Sequence, residues 1–190
     1  MLNIMGNIAE KHGFEKGMFA AVIEVETGGK GFDDKTGKII IQFEPGYFKR
    51  LEPFAPSGAW SINKVDVQEK EWIAFNNAFK IDKESAMRST SIGAGQIMGE
   101  HFKRLGFKTV GEMWDYSKKS LENQIDLIAR FIKTDKKLYK AFMEKDFHSF
   151  AYYYNGPKYK EMAVKWGREP YNISIEKAEI KYSKYFSLSK

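Results

Sequence analysis

Apolar residues recur along this chain mostly at three- and four-residue spacing, the mark of helices that bury one face. The clearest run is Leu121-Glu-Asn-Gln-Ile125-Asp-Leu-Ile128-Ala-Arg-Phe131-Ile132. Positions 121, 125, 128 and 132 trace one stripe, which Leu127 and Phe131 widen. The same periodicity predicts helices over about 2–12, 17–27, 45–52, 66–80, 83–90, 94–105, 109–117, 120–134, 136–144, 146–154, 158–166 and 173–186. Gly28 and Gly29 are expected to stop the second of these. One stretch breaks the pattern: a turn cluster, Gly31-Phe-Asp-Asp-Lys-Thr-Gly37, runs into the β-branched Lys-Ile-Ile-Ile-Gln-Phe43, which predicts a short β-hairpin. Pro45 then opens a helix, and Pro53, Pro56 and Gly58 mark a loop. With no repeat and no linker-like segment, the expectation is a mainly α (α+β) fold, a single domain over residues 1–190 with a small β-hairpin after the second helix.

Within that second helix, Phe19, Val22, Ile23 and Glu26 share one face at 100° per residue, while Glu24 points the opposite way. A carboxyl pressed against apolar surface has its pKa raised, because its charged form loses water. The last turn of a helix, with its partial negative charge, pushes in the same direction. A carboxyl that holds its proton near neutral pH is equipped to act as a general acid, the role a glycoside-cleaving enzyme requires.

Composition narrows the options. A 190-residue chain with 43% hydrophobic and 15% aromatic residues has enough apolar surface for a substantial core. The absence of cysteine excludes disulfides and thiolate metal sites. His12, His101 and His148 lack metal-ligand spacing, so neither metal nor cofactor is expected. The net charge of +6 is spread among interleaved acids, the pattern of a solvated surface rather than of a nucleic-acid binder. No apolar run approaches the roughly 20 residues of a membrane span, so stable membrane insertion is not expected. The first residues lack a basic segment followed by an apolar one, so no secretory signal is read there.

Three distant segments remain: Val25-Glu26-Thr27-Gly28-Gly29-Lys30-Gly31-Phe32 with Phe43-Glu44-Pro45 shortly after; Ser91-Ile-Gly93-Ala-Gly95-Gln96-Ile97-Met98-Gly99; and Tyr152-Tyr153-Tyr154-Asn155-Gly156-Pro157. In this order and spacing the chain resembles the peptidoglycan-cleaving N-acetylmuramidases of phage endolysins, which are similar in turn to the goose-type lysozyme and soluble lytic transglycosylase superfamily. The resemblance covers about residues 15–186. It implies a lysozyme-like fold with Glu26 as catalytic acid. It makes segment 93–98 a cleft wall, with Gln96 and Ile97 in contact with substrate, and brings Thr27, Tyr154 and Asn155 to the substrate as well. Thr27 stands where the family commonly has Ser, and Ile92 where an aromatic residue often precedes the first Gly.

The resemblance also implies peptidoglycan glycan strands as the binding partner, and a monomer held in the host bacterial cytoplasm until it is released to the wall. Glu44 is the first candidate for a second carboxylate, with Asp33 and Asp34 as alternatives. Without one, the sugar's own 6-hydroxyl would attack, as in a lytic transglycosylase. The residues themselves leave other readings open. The small residues at 93–95 and 99 suit close approach to a ligand or to another helix, and Gln96 suits a sugar or an internal hydrogen bond. Trp60, Trp72, Trp114 and Trp166 suit either the core or the face of a sugar. A non-catalytic glycan- or nucleic-acid-binding module is the reading from a different class.

Overall fold

The computed structural model describes residues 1–27, 30–64 and 67–188, apart from the side chain of Thr27. The helices are α1 (Leu2–His12), α2 (Lys16–Thr27), α3 (Pro45–Leu51), α4 (Gln68–Ile81), α5 (Lys83–Arg88), α6 (Val110–Lys119), α7 (Leu121–Thr134), α8 (Lys136–Met143), α9 (Phe147–Asn155), α10 (Tyr159–Lys165) and α11 (Tyr171–Leu188). Three short strands, β1 (Ile41–Phe43), β2 (Thr90–Ile92) and β3 (Ile97–Met98), form one antiparallel sheet in the order β1-β2-β3. The fold is mainly α with a small β element, as the periodicity predicts. The chain divides into two compact units, Lys30–Leu127 and the combination of Met1–Gly29 with Ile128–Lys190.

In the unit built from both chain ends, α2 lies in the core. Its apolar stripe predicts one buried face, yet Met18, Phe19, Ala20, Ala21, Val22 and Ile23 are all buried. Neighbours surround the helix, and the small Ala20 and Ala21 let them come close. At Gly17 a Cβ would stand 2.7 Å from the backbone nitrogen of Ser183 and 2.8 Å from its Cα, so α2 and α11 cross where no side chain fits. Toward the C-terminus of α2 the surface opens. Glu24 pairs with Lys181 of α11 at 2.8 Å. Gly28 and Gly29, the expected helix stop, lie outside the described residues.

An aromatic chain runs through the same unit. Phe14 and Phe142 meet at 4.7 Å, Phe142 and Phe150 at 5.9 Å, Phe150 and Tyr154 at 5.4 Å, and Tyr154 and Tyr171 at 6.2 Å between ring centroids. Tilted and offset-stacked contacts of this kind add to simple area burial. Asp135 and Asp146 cap α8 and α9 by accepting backbone N–H bonds from Leu138 and Ser149, both at 3.0 Å.

The other unit packs α3 to α6 around the sheet. Ile41 pairs with Ile92 and Phe43 with Thr90, while Ile92 also pairs with Ile97. The hairpin expected within 31–43 shrinks to a single bridge, Phe32 to Ile39. Asp33 accepts from the backbone and hydroxyl of Thr36, both at 2.8 Å, and so braces that turn. The β-branched run finds its partner in the distant β2 because Ile41 and Phe43 are buried there. On its other side β1 is covered by side chains of α4. Gln68 both accepts from the Ile41 N–H and donates to the Ile41 carbonyl, at 2.9 and 2.8 Å, and Glu71 accepts from the Phe43 N–H at 2.8 Å. These contacts satisfy an edge that would otherwise be bare.

The helix predicted over 94–105 is absent. Residues 90–98 form the β2–β3 hairpin instead, followed by a 3-10 turn at Gly99–His101. Gly93 at φ 69° and Gln96 at φ 45° take left-handed backbone that ends any helix. A Cβ on Gly93 would sit 2.7 Å from Gln124 Oε1, and one on Gly99 would overlap the Met87 carbonyl oxygen. The small residues of this segment therefore serve close packing against protein.

Candidate active site

Glu26 occupies the last turn of α2, one residue before the helix ends at Thr27. The residue is half-buried, but its Oε1 is shut off from solvent and makes no hydrogen bond. Burial pushes the carboxyl up from 4.5 to about 7, against a smaller downward pull from Tyr171 and Asn155 beside it. The hydroxyls of Tyr154 and Tyr171 are likewise buried and make no hydrogen bond of good geometry, though that of Tyr171 lies beside Glu26 and Asn155. Burial, reinforced by the nearby carboxylate, raises both phenols well above their ordinary range. Each therefore stays an O–H, able to donate to a carboxylate or to a sugar oxygen.

Local sequence accounts for this arrangement. Glu26 follows the apolar α2 segment by only three residues, so its stem starts from the core. Tyr154 is held by the Phe150 ring below it in α9 and by the Phe131 ring of α7 at 5.7 Å. Gly156 at φ 88° and Pro157 break α9 just after Asn155, leaving the Asn155 side chain exposed. Tyr171 opens α11 directly after Pro170. Beside them is a cavity of about 460 Å³ whose wall includes Glu26, Asn155, Tyr171, Trp166, Arg168 and Glu169.

A second carboxylate in this unit has the opposite environment. Burial of Glu15 acts to raise its pKa, but the backbone N–H groups of Met18 and Gly17, with Lys145 at 3.4 Å, hold it below its ordinary value. It stays charged and has no proton to give. Glu169 is kept low by Lys177, with the Ser174 hydroxyl 3.1 Å away.

The remaining residues named from sequence divide between the two units. Glu26, Thr27, Tyr154 and Asn155 belong to one; Glu44, Gln96 and Ile97 belong to the other. Glu44 precedes α3 and accepts from Gln42 Nε2 at 2.8 Å. Gln96 donates its amide N–H to the Gly93 carbonyl at 2.9 Å, bracing its own turn. Ile97 is buried, which puts it behind the surface of the β2–β3 hairpin. The side chain of Thr27 lies outside the described part.

Trp60 and Trp114 are core residues, with indole N–H groups donating to the carbonyls of Pro56 at 2.8 Å and Met87 at 3.3 Å. Trp166 is different: 55% exposed, it stands on the wall of the Glu26 cavity. Sequence reasoning missed Tyr171 and Arg168 in this wall, because neither falls within a motif. The one signal pointing to them is the breaker pair Gly167 and Pro170 between two predicted helices.

The sequence matches the N-acetylmuramidase family profile over residues 15–173. Among solved structures, the crystal structure of the Burkholderia AP3 phage endolysin is similar, with a TM-score of 0.85 and 28% identity over 97% of this chain and 71% of that one. No curated protein matches the sequence.

Proposed function

The chain belongs to the N-acetylmuramidase family, a lysozyme-type glycoside hydrolase acting on peptidoglycan, and we propose that Glu26 is its general acid. The bond cut is the β-1,4 linkage between N-acetylmuramic acid and N-acetylglucosamine. Neutral Glu26 gives its proton to the glycosidic oxygen as the bond from that oxygen to the anomeric carbon lengthens. Charge builds on the sugar as an oxocarbenium-like centre, and the carboxylate left behind faces the two phenols, which donate to it. A water then adds to the anomeric carbon and its proton returns to a carboxylate. The single observation that carries this reading is the shielded carboxyl at the end of α2, with a pKa of about 7, in the wall of a cavity.

The partner acid is open between Glu44, favoured by its place in the Phe-Glu-Pro segment, and Glu169, favoured because it shares the cavity wall with Glu26 and is held ionised. Two carboxyls pushed in opposite directions are the arrangement in which one donates and the other stays charged.

Substituting Glu26→Gln tests the reading: a folded protein that no longer clears suspensions of peptidoglycan is expected, and unchanged clearing rejects it. Mass spectrometry of the digest separates hydrolysis from transglycosylation. Reducing muramic ends mean that water was added; ends lighter by one water mean that the sugar's own hydroxyl attacked.

A further inference from the structure

We propose that Trp166 and Arg168 form a recognition subsite in the wall of the Glu26 cavity, the indole taking the face of a sugar and the guanidinium a carboxylate on the branch that muramic acid carries. The proposal rests on the muramidase reading and names which part of the substrate this wall reads. Trp166 directly follows α10, and its backbone N–H bonds the Met162 carbonyl at 3.1 Å. Gly167 at φ 61° then turns the chain, and the Arg168 N–H returns to the Ala163 carbonyl at 2.9 Å. This closed cap holds both side chains on the same cavity wall.

Three features mark a binding surface rather than packing. The indole is 55% exposed although it stands among ordered helices, so its apolar faces are available. The guanidinium carbon of Arg168 lies 5.6 Å over that ring. A cation–π contact of this kind does not use up the guanidinium N–H donors, which can still take a planar carboxylate. The neighbouring acid, Glu169, is engaged by Lys177 and Ser174 instead. An exposed aromatic beside a cation is suited to a ligand with an apolar sugar face next to an anionic branch. In peptidoglycan that carboxylate has two sources, the peptide stem or the lactyl group exposed once the stem is removed.

The test measures binding rather than turnover, in the inactive Glu26→Gln protein co-sedimented with purified sacculi. Trp166→Ala and Arg168→Ala are each expected to weaken binding about tenfold, and Trp166→Phe to retain most of it. Lys165→Ala, which removes the same charge from an adjacent exposed position, is expected to stay within about twofold. Blocking the carboxylates of the sacculi by carbodiimide amidation should erase the difference made by Arg168→Ala. With strands stripped of peptide by an amidase, a persisting difference identifies the lactyl carboxylate, and its loss identifies the stem. Equal effects of Arg168→Ala and Lys165→Ala, or unchanged binding by Trp166→Ala, would overturn the subsite. Lytic activity retained by Glu26→Gln would instead overturn the catalytic assignment and leave the binding result readable. All substituted side chains other than Glu26 are exposed, and matching thermal melts verify folding.

Discussion

The rings of Tyr154 and Tyr171 stack 6.2 Å apart at an interplanar angle of 12°, and both hydroxyls end in buried positions near the Glu26 carboxyl. One ring comes from the end of α9 and the other from the start of α11, so two helices separated only by α10 deliver a matched pair of phenols to one acid. Leaving three buried polar atoms without a hydrogen bond of good geometry costs stability, about 1–3 kcal/mol each by the usual desolvation penalty. Sites that must bind a polar substrate commonly carry such a cost.

Stability should depend on pH through Glu26. Its folded pKa of about 7 lies above the ordinary 4.5, so the protonated carboxyl favours the fold fully below about 4.5. That advantage is lost as pH rises through about 7. Relative to Glu26→Gln, the natural protein should lose about 3 kcal/mol between pH 4 and pH 8, the order of magnitude expected for a shift of this size. Urea melts of both proteins at the two pH values measure it; an identical gap at both would contradict the burial argument.

Tyr171 opposes the burial of Glu26 by favouring its charged form. Replacing it by Phe keeps the packing and removes the hydroxyl, so the carboxyl should hold its proton to higher pH. The alkaline limb of kcat/KM is therefore expected to move to higher pH in Tyr171→Phe. A limb that moves down, or stays put, would place the Tyr171 hydroxyl away from the acid.

Gln124 of α7 is buried and bridges two segments, accepting from the Ala94 N–H at 2.8 Å and donating to the Ser117 carbonyl at 3.1 Å. A Cβ on Gly31 would overlap its Oε1. Gly31→Ala should cost about 1–3 kcal/mol in the natural background and clearly less when combined with Gln124→Ala, which makes room. Additive costs in the double-mutant cycle would show that the two residues do not meet.

The α4 side chains that cover β1 should be needed for the sheet. Glu71 accepts from the Phe43 N–H and from Asn63 Nδ2, at 2.8 and 3.0 Å. Glu71→Ala strands both donors and is expected to destabilise by about 2–3 kcal/mol. Amide exchange at Phe43 should quicken along with it; unchanged protection there would mean that another group covers the edge.

Helix positions were legible in the spacing of apolar residues because a helix repeats its environment every three or four residues. Loop breakers carried most of the ends. Segment 94–105 misled because Ala94, Ile97 and Leu105 mimic that spacing, while the decisive facts were a left-handed backbone at Gly93 and Gln96 and the pressure of Gln124 from thirty residues away. The partner of Ile39–Phe43 was equally hidden, since strand pairing with β2 is non-local and leaves no local mark.

For the candidate site, sequence alone identified Glu26 as a carboxyl brought up against apolar surface, and named Tyr154 and Asn155 by motif. It determined that much because Glu26 shares a helical face with Phe19, Val22 and Ile23, whereas Glu24, closer to the buried segment but on the opposite face, reaches Lys181 at the surface. Tertiary structure decided that Met18 to Ile23 of α2 are buried on every side, that Tyr171 completes the setting of the acid, and that Trp166 faces the cavity rather than the core. Those outcomes depend on which helices close over which surface, and burial is a property of the assembled neighbours rather than of any residue's own position in the chain.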